Sequence, residues 1–207
     1  EPRGCIGEYD TREDRYILHA GVQQPAELRR QYAEAIFRVP EHRVQVKAGE
    51  VGGSFGLKGG YFPEYHLMVW AAKKLGRPVK WVCERSEGHA SDDHDRDHVS
   101  DAELALDEDG HFLAIRIAGM SNVGGYMARS GIVTPCFHWG GLSGTYTTPD
   151  IYVGNKAIFT NTASNGPYRG SGRPEASLIL EGLIDGAARE MGMDRAEIRR
   201  INTIPRI

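Results

Sequence analysis

Hydrophobic positions along this chain recur with two periods, and the changes between them mark a run of short strands and helices. Residues 16–22, Tyr-Ile-Leu-His-Ala-Gly-Val, read as a strand. Pro25 then opens a helix through about Phe37 that places Leu28, Tyr32, Ala35 and Ile36 on one face, and Pro40 stops it. Residues 43–48 alternate and predict a strand that runs into a glycine-rich stretch. A second helix is expected from Pro63 to Leu75, with Gly76 as its C-terminal stop, and residues 78–83 form a further short strand. Strands 99–106 and 112–123 flank the turn Asp107-Glu108-Asp109-Gly110. Between them and the second strand-helix pair lies a polar segment, 86–97, read as a solvated loop or helix edge. Residues 124–149 are rich in Gly, Ser and Thr, with a short helix expected around 135–139. A strand over 152–160, a long helix from Arg173 to Met191, and a last helix from an Asp194 cap to about Asn202 complete the pattern. The Asp-Gly hairpin argues for antiparallel pairing beside any parallel strands, so the fold class predicted is α+β, or mixed α/β, rather than a doubly wound sheet. Spacing leaves one domain or two lobes open.

Composition narrows the function classes. The 207 residues suffice for a sizeable core, and 40% hydrophobic with 26% charged residues is ordinary for a soluble globular chain. A formal net charge of −3 and the lack of basic runs give no general attraction to nucleic acid or anionic membranes. No apolar stretch approaches the roughly 20 residues of a membrane span. The three cysteines, Cys5, Cys83 and Cys136, have neither metal-ligand spacing nor an even disulfide count, which favours buried free thiols and excludes an iron–sulfur cluster. The Asp- and His-rich run 89–98 has metal-ligating residue types, but it reads as solvated polar chain, and no metal site of side-chain ligands is assigned.

The candidate chemistry sits in two glycine loops. The first is Gly52-Gly53-Ser54-Phe55-Gly56-Leu57-Lys58-Gly59-Gly60; the second runs Asn165-Gly166-Pro167-Tyr168-Arg169-Gly170-Ser171-Gly172-Arg173-Pro174-Glu175. Glycines permit positive φ and close approach of a ligand to the backbone. The two arginines suit a carboxylate, phosphate or oxyanion. The first loop departs from nucleotide fingerprints, since it lacks Gly-x-Gly-x-x-Gly spacing and Lys58 is not followed by Ser or Thr. A generic phosphate-binding domain rests on the glycines alone, and plain turns would account for them equally well. Glu175 and Glu181 are general-base candidates only by residue type; a helix-dipole role suits Glu175 better.

In order along the chain, these motifs resemble the molybdenum hydroxylases, a family that includes xanthine dehydrogenases, aldehyde oxidases and the large subunits of molybdenum carbon monoxide dehydrogenases. The first loop resembles their Gly-Gly-Gly-Phe-Gly-x-Lys pterin loop, the second their x-Tyr-Arg-Gly-x-Gly-Arg-Pro-Glu segment. Glu1-Pro2-Arg3-Gly4, Gln23-Gln24-Pro25, Arg96-Asp97-His98-Val99 and Arg199-Arg200-Ile201-Asn202 fit as well, so the likeness covers nearly the whole chain. It implies that 1–207 is the first molybdopterin-binding domain of a longer large subunit, of the carbon monoxide dehydrogenase-like branch. It implies cofactor contacts from Gln23, Gly53, Ser54, Phe55, Gly56 and Gly170. Arg169 is implied as the catalytic residue that stabilises negative charge developing on substrate. The helix after Gln23 has one residue more than the resemblance leads one to expect, which keeps Gln24 as an alternative register.

Three departures stand out. Ser54 replaces a glycine, Gly59 stands where xanthine dehydrogenases carry a substrate-binding Glu, and Gly170 stands where the carbon monoxide enzymes carry a copper-binding Cys. The implied cofactor is molybdenum–molybdopterin in its cytosine dinucleotide form. The implied partners are the C-terminal remainder of the subunit, FAD-binding and iron–sulfur subunits or domains, and a small-molecule substrate, without nucleic acid or membrane insertion. The family's catalytic Glu lies in a C-terminal Gly-x-Gly-Glu segment that this chain lacks. The isolated chain is therefore expected to be an inactive fragment holding little or no molybdenum, cytoplasmic in origin. The alternative is a cofactor-free structural or assembly module of the same fold.

Overall fold

The computed structural model describes residues 2–128, 131–132 and 140–205. The helix expected around 135–139, and Cys136, lie outside the described residues. The chain divides into two compact units, Glu1–Asp92 and Asp93–Ile207.

The first unit is built on a four-stranded sheet. Its strands are β1 (Gly4–Asp10), β2 (Arg15–Ala20), β3 (Val44–Lys47) and β4 (Val79–Val82), in the order β3-β2-β1-β4. β1 runs antiparallel to both β2 and β4, while β2 and β3 are parallel. The central strand, β1, is the one that sequence patterning does not mark. Its two glycines and weak alternation carry little strand propensity, and the structure shows why glycine is required. A Cβ on Gly7 would lie 2.3 Å from the backbone carbonyl carbon of Met68, in α2 (Pro63–Leu75). The helix rests directly on the strand, and Tyr65, Val69 and Ala72 fill the core beneath it with Leu18, Tyr32 and Val44.

α1 (Pro25–Gln31) does not continue as an α-helix to Phe37. It widens into a π-helix over Tyr32–Phe37, closed by the Arg38 N–H bonding back to the Ala33 carbonyl. A π-turn takes up one residue more than an α-turn. The polar segment also proves partly helical. α3 (Arg85–Ser91) is started by a capping box in which Glu84 and Glu87 serve each other's backbone N–H groups. Two glutamates replace the usual Ser/Thr-first signal, which hides the box from a sequence reading. Arg3 ties the unit together. Its guanidinium is buried, reaching Asp92 at 2.7 Å, Glu64 at 3.1 Å and Ser91 at 3.0 Å while lying over the Phe62 ring.

The second unit holds a three-stranded sheet in the order β5-β6-β7, from β5 (His98–Leu106), β6 (Phe112–Gly124) and β7 (Asp150–Phe159). The hairpin expected at Asp107–Gly110 pairs β5 with β6 antiparallel, and β7 adds to β6 in parallel. α4 (Arg173–Met191) buries Ala176, Leu180, Ile184 and Ala188 against Phe112, Ile115 and Ile117. α5 (Arg195–Asn202) is capped by the Asp194 carboxylate, as its sequence predicts. Buried Asn202 fixes its far end: its amide accepts from Phe112 N and donates to the carbonyls of Gly110 and Ile198, each at 2.8 Å. Parallel and antiparallel pairs in both sheets, with helices between strands, give the expected mixed α/β class.

Two glycines separate close approach from mere permissiveness. Gly7→Ala should destabilise the chain by about 3 kcal/mol or more, because backbone cannot move aside. Gly186→Ala in α4, where a Cβ meets nothing within 4 Å, should stabilise it by roughly 0.5–1 kcal/mol through helix propensity. Urea melts of the two variants check the contrast; equal midpoints would show that β1 and α2 are not in backbone contact.

Candidate functional site

The first glycine loop is a set of positive-φ residues stapled from within. Gly52, Gly53 and Gly56 have φ of 67°, 85° and 112°. A Cβ on Gly53 would come 2.7 Å from the Phe55 ring, so a side chain there would displace that ring. Phe55 itself takes a left-handed φ of 54° and leaves its ring 55% exposed. A bulky residue adopts this conformation only when its surroundings impose it. The constraint comes from the short 3₁₀ turn Leu57–Gly59 that follows, and from Lys58.

Lys58 is only 4% exposed, and its ammonium donates to the Val51 carbonyl at 2.6 Å. The side chain therefore clamps the two ends of the loop. A phosphate-binding lysine of the nucleotide type would present its ammonium to a ligand; here it is turned into the loop.

Ser54 joins the loop to Gln23. Its hydroxyl donates to Gln23 Oε1 at 2.7 Å and accepts from the Lys58 backbone N–H at 3.0 Å, while Gln23 N donates to the Lys58 carbonyl at 3.0 Å. Of the two glutamines, it is Gln23 whose side chain meets the loop; Gln24 occupies the N-cap position of α1. With Oε1 engaged, the Gln23 amide nitrogen makes no hydrogen bond among the described residues and is held as an exposed donor. Gly59 approaches the same amide: a Cβ there would sit 3.7 Å from Gln23 Oε1. The structure thus brings together Gln23, Gly53, Ser54, Phe55 and Gly56 within the first unit.

Arg169 and Gly170 belong to the second unit, on the loop between β7 and α4. This loop is braced by the segment read from sequence as solvated. His94 and Asn165 form an isolated parallel bridge, with His94 N donating to the Ser164 carbonyl at 2.8 Å and Gly166 N to the His94 carbonyl at 2.7 Å. The Asp95 carboxylate accepts from Tyr168 N at 3.0 Å. Residues 93–98 therefore brace the loop while His94, Arg96 and Asp97 stay exposed, a packing role that local composition does not encode. Asp95 is pushed up from its ordinary carboxylate range, first by burial, with Glu175 adding repulsion. Among the described residues no group of three His, Cys, Asp or Glu is arranged to hold a metal ion.

Arg169 is exposed, and its side chain has no hydrogen-bond or ion-pair partner among the described residues. Gly170 has φ of 98°, and a Cβ on it would fall 2.5 Å from Pro174 Cγ. Glu175, in the first turn of α4, faces inward toward Arg96. Glu181 pairs with Arg199 at 2.7 Å and accepts from Tyr146 at 2.9 Å, so it stitches α4 to α5. Neither glutamate is placed as a free general base.

A molybdenum–pterin cofactor fits what the first loop offers. Glycine backbone without side chains, an exposed ring and one fixed amide donor suit a planar heterocycle and an oxygen acceptor.

Comparison with known proteins gives the same picture. The family model for the molybdopterin cofactor-binding domain matches residues 1–203. The gamma subunit of the 6-hydroxypseudooxynicotine dehydrogenase complex of Paenarthrobacter nicotinovorans is 34% identical over 99% of this chain and 25% of its own length. The carbon monoxide dehydrogenase large chain of Hydrogenophaga pseudoflava is 33% identical over 99% of this chain and 26% of its own. Among solved structures, quinoline 2-oxidoreductase from Pseudomonas putida 86 superposes with a TM-score of 0.93 at 32% identity, again over 99% of this chain and 26% of that one. The chain spans about a quarter of the length of these relatives. It belongs to the molybdopterin cofactor-binding domain family, in the form carried by molybdenum hydroxylase large subunits.

Proposed function

We propose that residues 1–207 form the first cofactor-binding domain of a longer large subunit that hydroxylates a carbon centre of a small molecule with oxygen taken from water. The observation that carries this reading is the Gln23–Ser54 hydrogen bond, which holds one amide donor beside a glycine loop of imposed geometry. When bound, the molybdenum cofactor, in its cytosine dinucleotide form, supplies the two-electron oxidation. Gln23 donates to an oxygen of that group. Gly53, Ser54, Phe55 and Gly56 line its heterocycle, and Gly170 keeps the second loop free of side-chain bulk. Arg169 stabilises negative charge as it develops on the substrate; its guanidinium has no counter-charge among the described residues. The catalytic Glu comes from the C-terminal remainder of the subunit, and electrons leave through iron–sulfur and FAD-binding partners in the cytoplasm. Gly59 offers no carboxylate for a purine, and Gly170 no thiolate for copper.

The test uses the full-length subunit with its partners. Elemental analysis should find molybdenum, and a panel of nicotine, nicotinate, quinoline, benzaldehyde and xanthine should show turnover with a reducible dye for at least one compound other than xanthine. The isolated chain should hold little molybdenum and turn over none of them. Full-length protein without molybdenum would overturn the reading.

Two side chains should respond differently in that enzyme. Arg169→Met should lower turnover by roughly 10²–10³ at unchanged molybdenum content. Ser54→Ala releases the Gln23 amide and leaves Lys58 N without its acceptor, at a cost of about 1–3 kcal/mol; it should show first as faster cofactor loss on dialysis.

Gly170→Cys should not create a copper site. Positive φ and the Pro174 ring set a cost of roughly 1–3 kcal/mol, part of which Pro174→Ala should return. Thermal melts of the single and double variants, with copper analysis, decide this; unit copper in the single variant would refute it.

A further inference from the structure

Arg169 is exposed, but its backbone is gripped. The grip comes from two consecutive residues, Asp95 and Arg96, 73 positions away in sequence. Asp95 accepts from the N–H of Tyr168 at 3.0 Å. Arg96 donates from Nη2 to the carbonyl of Arg169 itself, and its guanidinium carbon lies 5.0 Å from the centre of the Tyr168 ring. The peptide on each side of the Tyr168–Arg169 bond is thereby fixed, together with the ring that precedes the arginine.

Arg96 is held in its turn. Its backbone has a left-handed φ of 63°, and its Nε lies 3.4 Å from Glu175 Oε1. The Glu175 side chain is only 11% exposed, and neither of its oxygens accepts a hydrogen bond among the described residues. A buried carboxylate left in that state is costly unless a cation sits beside it. Arg96 supplies that cation, with His98 Nε2 a second neighbour at 4.0 Å. The guanidinium cannot leave Glu175 for solvent without exposing the cost, so its remaining arm stays directed at the Arg169 carbonyl. Lysine could satisfy the charge but not both contacts, because it lacks the planar fork.

We propose that Arg96 is the positioning residue for Arg169, holding the peptide of the arginine so that its side chain enters the substrate space in one orientation. This rests on the reading of Arg169 as the substrate-facing cation. The geometry assigns Glu175 the role of anchor for Arg96.

The experiment is a double-mutant cycle in the full-length holoenzyme, with turnover read on whichever of nicotine, nicotinate, quinoline and benzaldehyde the parent oxidises fastest. Arg96→Lys should keep parental molybdenum content and melting temperature, yet lose kcat by roughly 10- to 100-fold, the scale of a misplaced catalytic group. KM should change far less. In an Arg169→Met background, Arg96→Met should cost no more than about twofold further, since the group it positions is gone. Hydrogen exchange, which needs no substrate, should show faster exchange of residues 168–171 in Arg96→Met and Arg96→Lys.

Parental kcat in Arg96→Lys overturns the proposal, as does an equal loss from Arg96→Met in both backgrounds while Arg169→Met alone is impaired. If Arg169→Met keeps parental turnover, or the parent oxidises no compound in the panel, the earlier reading fails instead. The exchange of 168–171 then decides alone, and unchanged protection overturns the hold of Arg96 on the loop.

Discussion

Backbone lying directly on backbone is the constraint on which both units depend. In the first unit it is Gly7 beneath Met68; in the second it is Gly124, where a Cβ would come 2.4 Å from the Ala163 carbonyl oxygen. Neither contact adjusts by rotating a side chain. Gly7 fixes α2 on β1, and the first glycine loop with its 3₁₀ turn leads into that helix. Gly124, with φ of 82°, turns the end of β6 against 163–164, where the arginine loop begins. Hydrogen bonds from Thr160 N to the Gly124 carbonyl and from Gly125 N to the Thr162 carbonyl, each 3.0 Å, secure the turn. Close packing of this kind transmits position well, because it has no soft degrees of freedom.

The two loops share a further device. Each has a cation that donates a hydrogen bond to a backbone carbonyl at the loop. Lys58 performs this for the first loop and Arg96 for the second. An ammonium or guanidinium has several directed donors, so it can hold irregular backbone that no regular ladder would satisfy. The loops can then display glycine at their surface while remaining ordered. Flexible composition and fixed conformation are compatible when the support is electrostatic and comes from behind.

Most of the secondary structure was legible because it follows from local rules. The Asp-Gly hairpin, the Asp194 cap and the Pro-to-Gly limits of α2 and α4 all reside in a few adjacent residues. The elements that sequence missed depend on distant ones. β1 is a strand because β2 and β4 flank it, and its glycine is explained only by α2. α3 is started by glutamates in place of the usual cap. Residues 93–98 looked solvated because their partners lie some seventy positions on. The candidate site residues lie in motifs legible from sequence, whereas the supports behind them depend on the fold. Ser54 was visible as a departure from a glycine pattern, but its bond to Gln23 was not; neither was the π-turn over Tyr32–Phe37.

Burial also settles the chemical temper of the described thiols. Cys5 is pushed up to about 12 by its desolvation in the first unit, and Cys83 is raised for the same reason. At the pH of any cell both remain protonated and behave as small hydrophobes. Molybdenum is a thiophilic element, and a chain that receives it alongside ionised cysteines would offer competing places to bind. Held neutral within the core, neither Cys5 nor Cys83 offers a thiolate to compete for the metal.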